Sequence, residues 1–278
     1  MINACSHCGT KGGGMSNKNN NIEKNTDNIK VIDKAIDILE ILSESDDSIC
    51  CSVSNIAKEL KMSRSTVYRI MRTLMYHNFI SKDDNSGKYI LGWELYRLGC
   101  RVKMDTDVYL RIRKDIEGLN NILNETVSLY FLKDAKVLVV DSYKRGEGLK
   151  IDVPIGVLEP IHATASGKCL LLDYSYEDIV KLLGTDELSR YTSESITSID
   201  ELYANISETK EYKYTTSFEE YIYGMAAPIR DHTGNIIAAV TISAPIQRMN
   251  KSNIQNFYKP LIDTANRAST KLGYNGKK

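Results

Sequence analysis

The chain has 278 residues, 42% of them apolar, with 36 basic and 36 acidic side chains. That length holds about two domains at the usual ~100–200 residues each. Zero net charge excludes a uniformly basic nucleic-acid coat, and the sequence has neither the ~18-residue apolar run of a membrane span nor the basic-then-apolar start of a signal peptide. We therefore expect a soluble, cytoplasmic protein with no membrane partner, in which any nucleic-acid contact comes from a local basic patch.

Residues 1–27 are low in complexity ("GTKGGG", "NKNNN") and cannot bury enough apolar surface to order themselves, so they read as a disordered leader, with Met15 as an alternative start. The cysteines are Cys5, Cys8, Cys50, Cys51, Cys100 and Cys169. Cys5 and Cys8 form one CxxC with no second pair or His pair near it, short of the four ligands of a structural zinc site, so no metal is expected.

From Asn28 the pattern is helical, with Ile32, Ala35, Ile38, Leu39 and Leu42 on one buried face until "SESDD" breaks it. A short second helix is predicted over Asn55–Leu60, facing inward with Ile56, Ala57 and Leu60. A third starts near Ser63, whose hydroxyl can cap a free N–H of the first turn, and carries the stripe Val67, Ile70, Met71 and Leu74. "SKDDNSGKYIL" reads as two short strands around a turn, and Trp93–Arg101 as a connecting helix with Leu95 and Leu98 on one side.

The character changes near Asp105. A long helix to about Asn124 (Ile112, Ile116, Leu119, Ile122, Leu123) leads into two strands, "TVSLYFL" and "KVLVVDSY". Helical pieces follow at about Ser166–Leu172, Tyr176–Leu183 and Ile199–Tyr212. "MAAPIRDHTGNIIAAVTIS" reads as a hairpin turning at His232–Asn235, where Gly234 can take a positive φ, and a last helix covers about Asn250–Leu272. Helices of unequal length mixed with strands indicate α+β rather than a regular βαβ series.

Three helices and a two-stranded wing are the plan of a winged helix-turn-helix, and "SVSNIAKELKMSRSTVYRIMRTL" has its compact spacing. At about 100° per residue, the apolar stripe of the third helix leaves Ser65, Arg69 and Arg72 pointing away, Thr66 and Tyr68 on the flanks and Arg64 at the N-terminal edge. Arg can read guanine bidentately in a major groove, and hydroxyls suit phosphates. Lys58–Lys88 holds seven Lys/Arg and three acids, a local net of +4, with Lys82 and Lys88 flanking the wing turn. The candidate DNA-binding residues are thus Ser63, Arg64, Ser65, Thr66, Tyr68, Arg69, Arg72, Lys82 and Lys88. A merely solvated helix face is the plainer alternative for the helix taken alone.

"HATASGKCLL" (His162–Leu171) suggests a phosphate loop, but the first Gly of a Walker A motif would fall on His162 and its Ser/Thr on Cys169, so the nucleotide reading fails. What remains is a run of small residues, Ala163 to Gly167, opening a helix whose first N–H groups can hold a carboxylate. Thr241 and Ser243 alternate, so both point to one face of the last strand. An ordinary helix start and ordinary strand residues are the alternative. His162 is read as packing, Cys169 as buried, Lys168 as capping or solvated, and Glu219–Glu220 as lacking any acid/base constellation around them. No catalytic residue, cofactor or metal site is expected.

"IAKELKMSRSTVYRIMRTL", "GKYILGWELYRLG", "HATASGKCLL" and "AAPIRDHTGNIIAAVTISAP", in that order, resemble the isocitrate-lyase-regulator (IclR) family of bacterial transcription factors from about Asn28 to the end. The resemblance implies residues 28–92 as the winged helix-turn-helix, 93–104 as a linker helix, and 105–278 as an effector-binding α+β domain of GAF-like fold. It implies homodimers or homotetramers on double-stranded operator DNA, a small organic-acid effector, and repression or activation of a catabolic operon; repression is the expectation here. It places ligand contacts at Ala165, Ser166, Gly167, Ser217, Thr241 and Ser243. Two departures stand out: Ser217 replaces an acidic residue, and "YIYGM" before Ala226 is about three residues short, which makes the register at Gly224 uncertain. A DNA-binding protein with a degenerate pocket, or an enzyme with a DNA-binding arm, are the competing readings.

Overall fold

A computed structural model describes residues 28–44, 52–83, 87–105, 107–144, 146, 148–185, 187–219, 221–249 and 253–276. The expectations for the leader, the CxxC, Cys50 and Cys51, and the tip of the wing lie outside these residues. The described chain divides into two compact units, one ending at Asp107 and the other starting at Val108.

The first unit contains α1 (Lys30–Glu44), α2 (Val53–Glu59), α3 (Arg64–Tyr76), β1 (Ile80–Lys82), β2 (Tyr89–Leu91) and α4 (Trp93–Asp105). Its core joins Ile38 and Leu42 of α1, Ile56 and Ala57 of α2, Val67, Ile70 and Met71 of α3, and Ile80 of β1. Ile32, expected in that core, is 54% exposed. Burial on α1 begins only at Ala35, and Ile32 instead joins Ile29 and Ile36 on an uncovered stripe. The tight turn after α2 rests on Lys61, in the left-handed region at φ 54°, with the Met62 N–H donating to the Ala57 carbonyl. β1 and β2 pair antiparallel, Lys82 opposite Tyr89. Gly92 lets the chain leave the wing, because a Cβ there would overlap the Asn78 carbonyl.

The second unit is built on α5 (Asp107–Leu123), β3 (Thr126–Lys133), β4 (Lys136–Tyr143), β5 (Leu158–Pro160), α6 (Ala165–Leu170), α7 (Tyr176–Leu183), α8 (Ile199–Thr209), β6 (Thr215–Glu219), β7 (Ile222–Arg230), β8 (Ile236–Pro245) and α9 (Gln255–Lys271). The strands form one antiparallel sheet in the order β5-β4-β3-β8-β7-β6. β5 and β6 escaped the sequence reading because they are short, one contains Pro160, and neither alternates strongly. Gly234 turns the β7–β8 hairpin at φ 86°, and the Asp231 carboxylate accepts from the N–H groups of Thr233 and Asn235.

Side-chain alternation assigns the two faces of the sheet. Val127 and Leu129 of β3, Tyr223, Met225, Ala227 and Ile229 of β7, and Ala238, Val240, Ile242 and Ala244 of β8 pack on Ile112, Ile116 and Leu119 of α5 and on Phe257, Leu261, Ala265 and Ala268 of α9. Tyr130, Val137, Val139, Ala226 and Ala239 face the other layer, α6, α7 and α8. Ile122, expected on the buried face of α5, is 66% exposed: Ile112, Ile116, Leu119 and Leu123 make the stripe that packs on the sheet, and Ile122 lies about 100° round the helix from Leu123.

Glu125, buried at the α5–β3 junction, is held bidentately by Arg248 from beyond β8 (Nε to Oε1 2.5 Å, Nη2 to Oε2 2.8 Å), and Nη2 also donates to the Leu149 carbonyl at 2.9 Å. Removing one partner of such a pair strands a buried charge, although the partial exposure of Arg248 moderates the cost. Arg248→Met should lower the unfolding free energy of this unit by about 2–3 kcal/mol in urea denaturation; a loss inside measurement error would mean that solvent already screens the pair.

Candidate functional site

α3 carries two chemistries on one rod. Ser63 caps it by accepting from the Thr66 N–H at 3.2 Å, and its hydroxyl lies 2.9 Å from Ser65 Oγ and 2.8 Å from Thr66 Oγ1. The first turn contains no acid, so nothing offsets the partial positive charge of the helix start. Val67, Ile70 and Met71 are buried, whereas Arg64, Ser65, Thr66, Tyr68, Arg69 and Arg72 are exposed. Arg64, Arg69 and Arg72 form no ion pair with any described residue. Lys82 is exposed on the wing with its amine 5.9 Å from the Tyr89 ring centroid, and Lys88 is half-buried. The nine residues singled out from the sequence therefore belong to one helix start, one helix face and one wing of the same unit.

In the second unit, hydroxyls line the α6-facing side of the sheet in two rows across the strands. Ser217, Gly224, Ser243 and Thr126 stand abreast, and next to them Thr215, Ala226, Thr241, Ser128 and Ser142. The sheet thus settles the register that the short "YIYGM" segment left uncertain: Gly224 lies between Ser217 and Ser243. A Cβ on Gly224 would come within 2.5 Å of Ser217 Oγ and 3.5 Å of Ala165 Cβ, so the missing side chain is what lets Ser217 and α6 approach. Most of these hydroxyls are engaged: Thr215 Oγ1 donates to the Ala165 carbonyl at 2.6 Å, Thr126 Oγ1 to the Ile151 carbonyl at 2.7 Å, and Ser128 Oγ to Ser142 Oγ at 3.0 Å. Thr241, 4% exposed, has a buried Oγ1 with no hydrogen-bond partner among the described residues. Such a group carries a desolvation cost until something bonds to it. Sequence reasoning missed Thr126 and Ser128; the repeat of the Thr-x-Ser alternation of β8 in "TVSLYFL" was the available signal.

Thr164 caps α6, accepting from the Gly167 N–H at 3.1 Å, while Ser166 Oγ donates to Thr164 Oγ1 at 3.1 Å. The Gly167 amide is thereby committed to the cap, and a Cβ at Gly167 would overlap the Ile161 carbonyl. Its demonstrable job is close packing, which leaves the amides of Ala165 and Ser166 as those of the helix start. His162 is buried, its Nε2 2.9 Å from the Ser189 carbonyl and its ring 5.8 Å from that of Tyr191, the packing role expected of it. Cys169 is buried and its thiol is pushed far up by burial. Lys168 is the surprise. Expected to cap or to be solvated, it is 7% exposed, and burial alone brings its amine down to about 8. The side chains of Glu219 and Glu220 lie outside what the structure describes. Among the described residues no group of three or more His, Cys, Asp or Glu could hold a metal, and no helix is long and apolar enough to cross a membrane.

Comparison with known proteins gives two family matches, the IclR helix-turn-helix domain over residues 31–84 and the bacterial transcriptional regulator IclR C-terminal domain over residues 100–270. The chain is 27% identical over 259 residues to the HTH-type transcriptional regulator KdgR of Escherichia coli (strain K12), covering 92% of this chain and 97% of that protein. It is 26% identical over 247 residues to the HTH-type transcriptional repressor AllR of Salmonella typhimurium, covering 88% and 90%. Among solved structures, an IclR transcriptional regulator from Alicyclobacillus acidocaldarius aligns with a TM-score of 0.77 at 25% identity over 88% of this chain and 100% of that one. An IclR homologue from Microbacterium hydrocarbonoxydans, complexed with 4-hydroxybenzoate, shares the fold at a TM-score of 0.74 and 22% identity over 87% and 98%.

Gly167→Ala should destabilise the second unit by about 1–3 kcal/mol, because the Ile161 backbone must move to admit the methyl. Thermal unfolding of the variant checks this, and an unchanged midpoint would show that the loop yields freely.

Proposed function

Because the chain belongs to the IclR family of bacterial transcriptional regulators, we propose that it is a ligand-responsive repressor of a catabolic operon, acting in the cytoplasm on double-stranded operator DNA and sensing a small organic acid. The observation that carries the DNA-binding half is the division of α3: Val67, Ile70 and Met71 hold it to the core, and Arg64, Arg69 and Arg72 stand outward without a carboxylate partner among the described residues. An unpaired guanidinium on an exposed helix is available for guanine edges or phosphates at little desolvation cost. Ser63, Ser65, Thr66 and Tyr68 position the helix on the backbone, and Lys82 and Lys88 of the wing add phosphate contacts.

The effector half rests on the hydroxyl-lined face beneath α6. Ala165 and Ser166 supply backbone amides, and Ser217, Thr241 and Ser243 supply hydroxyls to a carboxylate-bearing ligand. The orphaned Thr241 Oγ1 is the group most in need of one. Binding of 4-hydroxybenzoate by the Microbacterium homologue agrees with an acid of this size. Such a ligand alters DNA affinity only through unequal affinity for DNA-competent and incompetent arrangements, and α4 is the element that would pass the change.

A palindromic operator needs two copies. α1 leaves Ile29, Ile32 and Ile36 uncovered, and α4 leaves Trp93 (82% exposed), Tyr96 and Val102, with the Trp93 and Tyr96 rings packed edge-on at 5.7 Å. Apolar surface of that kind on two helices of a DNA-binding unit supports a homodimer, which can pair further into a homotetramer.

Arg69→Ala should weaken specific operator binding by about 10- to 100-fold, read by fluorescence anisotropy on an operator found by in vitro selection, with thermal stability unchanged. Full retention of specific binding would remove α3 as the reading helix. Trp93→Asp should shift the protein toward monomer in sedimentation velocity and weaken operator binding with it; an intact dimer would place the interface elsewhere.

A further inference from the structure

Lys168 is an amine for which the family assignment leaves no task. It is 7% exposed, on a six-residue helix every residue of which is buried. Its side-chain amine forms no hydrogen bond or ion pair with any described residue. Buried ammonium groups are ordinarily paired, since an isolated charge in a poorly polarisable interior is costly.

Helical phase indicates what Lys168 faces. Ala165 points down at β7, its Cβ 3.5 Å from where a Cβ on Gly224 would lie. Cys169, about 40° further round α6, leans toward β6, where it interacts with the Thr215 hydroxyl. Lys168 lies about 60° from Ala165 in the opposite sense. Since β6 and β8 flank β7 on opposite sides, Lys168 leans toward β8. There Thr241, opposite Ala226 of β7, holds its unpartnered hydroxyl on the same face of the sheet. Helical phase and strand order thus put the Lys168 side chain and the Thr241 hydroxyl on the same side of α6, and neither has a hydrogen-bond partner among the described residues.

Resting on the effector site described above, we propose that Lys168 is the counter-charge of that site: it selects anionic effectors over their neutral analogues by pairing with a carboxylate whose second oxygen is bonded by Thr241. In the ligand-free protein the cation is uncompensated and destabilising; the bound anion neutralises it. Burial brings the amine down to about 8, so the charged form is disfavoured where it stands. Its sign is definite. A lysine held below its ordinary 10.5 binds fewer protons folded than unfolded between about pH 8 and 10.5, so this group makes stability rise with pH across that window.

The test uses full-length wild type, Lys168→Met and Thr241→Val, with 4-hydroxybenzoate, pyruvate and the corresponding amides as probes. Without ligand, K168M should melt higher than wild type at pH 7 and lose the gain in stability between pH 8 and 10.5. With ligand, at least one carboxylate should stabilise wild type while its amide does not, and K168M should bind that carboxylate about 10- to 100-fold more weakly. A K168M protein less stable than wild type at pH 7 makes Lys168 a structural lysine and overturns the inference whatever the probes do. So does a wild type stabilised equally by acid and amide, or by no carboxylate of the set. If T241V abolishes carboxylate binding and K168M leaves it intact, the effector site stands and the counter-charge falls. Operator binding, followed in the same preparations without ligand, reports separately on the regulatory reading.

Discussion

The second unit depends on one constraint, the two-residue alternation of side chains in a sheet covered on both faces. In β7 and β8 the odd set 223, 225, 227, 229 and the even set 238, 240, 242, 244 go to the layer of α5 and α9, and every one is apolar. That frees the opposite face to be polar at one end without loss of the core, and hydroxyls collect there: Thr126 and Ser128 on β3, Thr215 and Ser217 on β6, Thr241 and Ser243 on β8. A shift of one residue in β8 would bury Thr241 and Ser243 against α9 and turn Val240 and Ile242 toward α6.

Close approach of α6 to that face follows from residues that are absent as much as from those present. Gly224 on the sheet and Gly167 on the helix are both places where a methyl would strike a neighbour. The Thr215 hydroxyl ties the Ala165 carbonyl to the edge strand, and the Thr164 hydroxyl closes the first turn from within. A helix so tightly seated buries whatever it carries, including a lysine. The same logic in the first unit has the opposite outcome. α3 is pinned by three apolar residues on one side only, so its arginines stay in water, where a duplex can reach them.

Much of this was legible in the chain. The 3.6-residue spacing of Val67, Ile70 and Met71 gave the orientation of α3, Ser63 announced its start, and "KVLVVDSY" marked β4 at its observed bounds. Ser217, Thr241 and Ser243 came forward as candidates through the resemblance to the IclR family, and alternation along the strand put Thr241 and Ser243 on one face. Two expectations failed for different reasons: Ile32 precedes the point at which α1 is covered, and Ile122 lies about 100° round α5 from Leu123, off the stripe that packs on the sheet. β5 and β6, at three and five residues, were too short to show a period at all.

The sequence by itself determined which residues form α3 and which way they point, which strands alternate, and that the chain joins a helix-turn-helix unit to an α+β unit. These are local properties, written in spacings of two to four residues. Only the tertiary structure decided that Gly224 falls between Ser217 and Ser243, that Thr241 Oγ1 has no partner among the described residues, and that Lys168 is largely buried. Register and burial are set by neighbours far along the chain, and spacing within one segment carries no information about what that segment will meet.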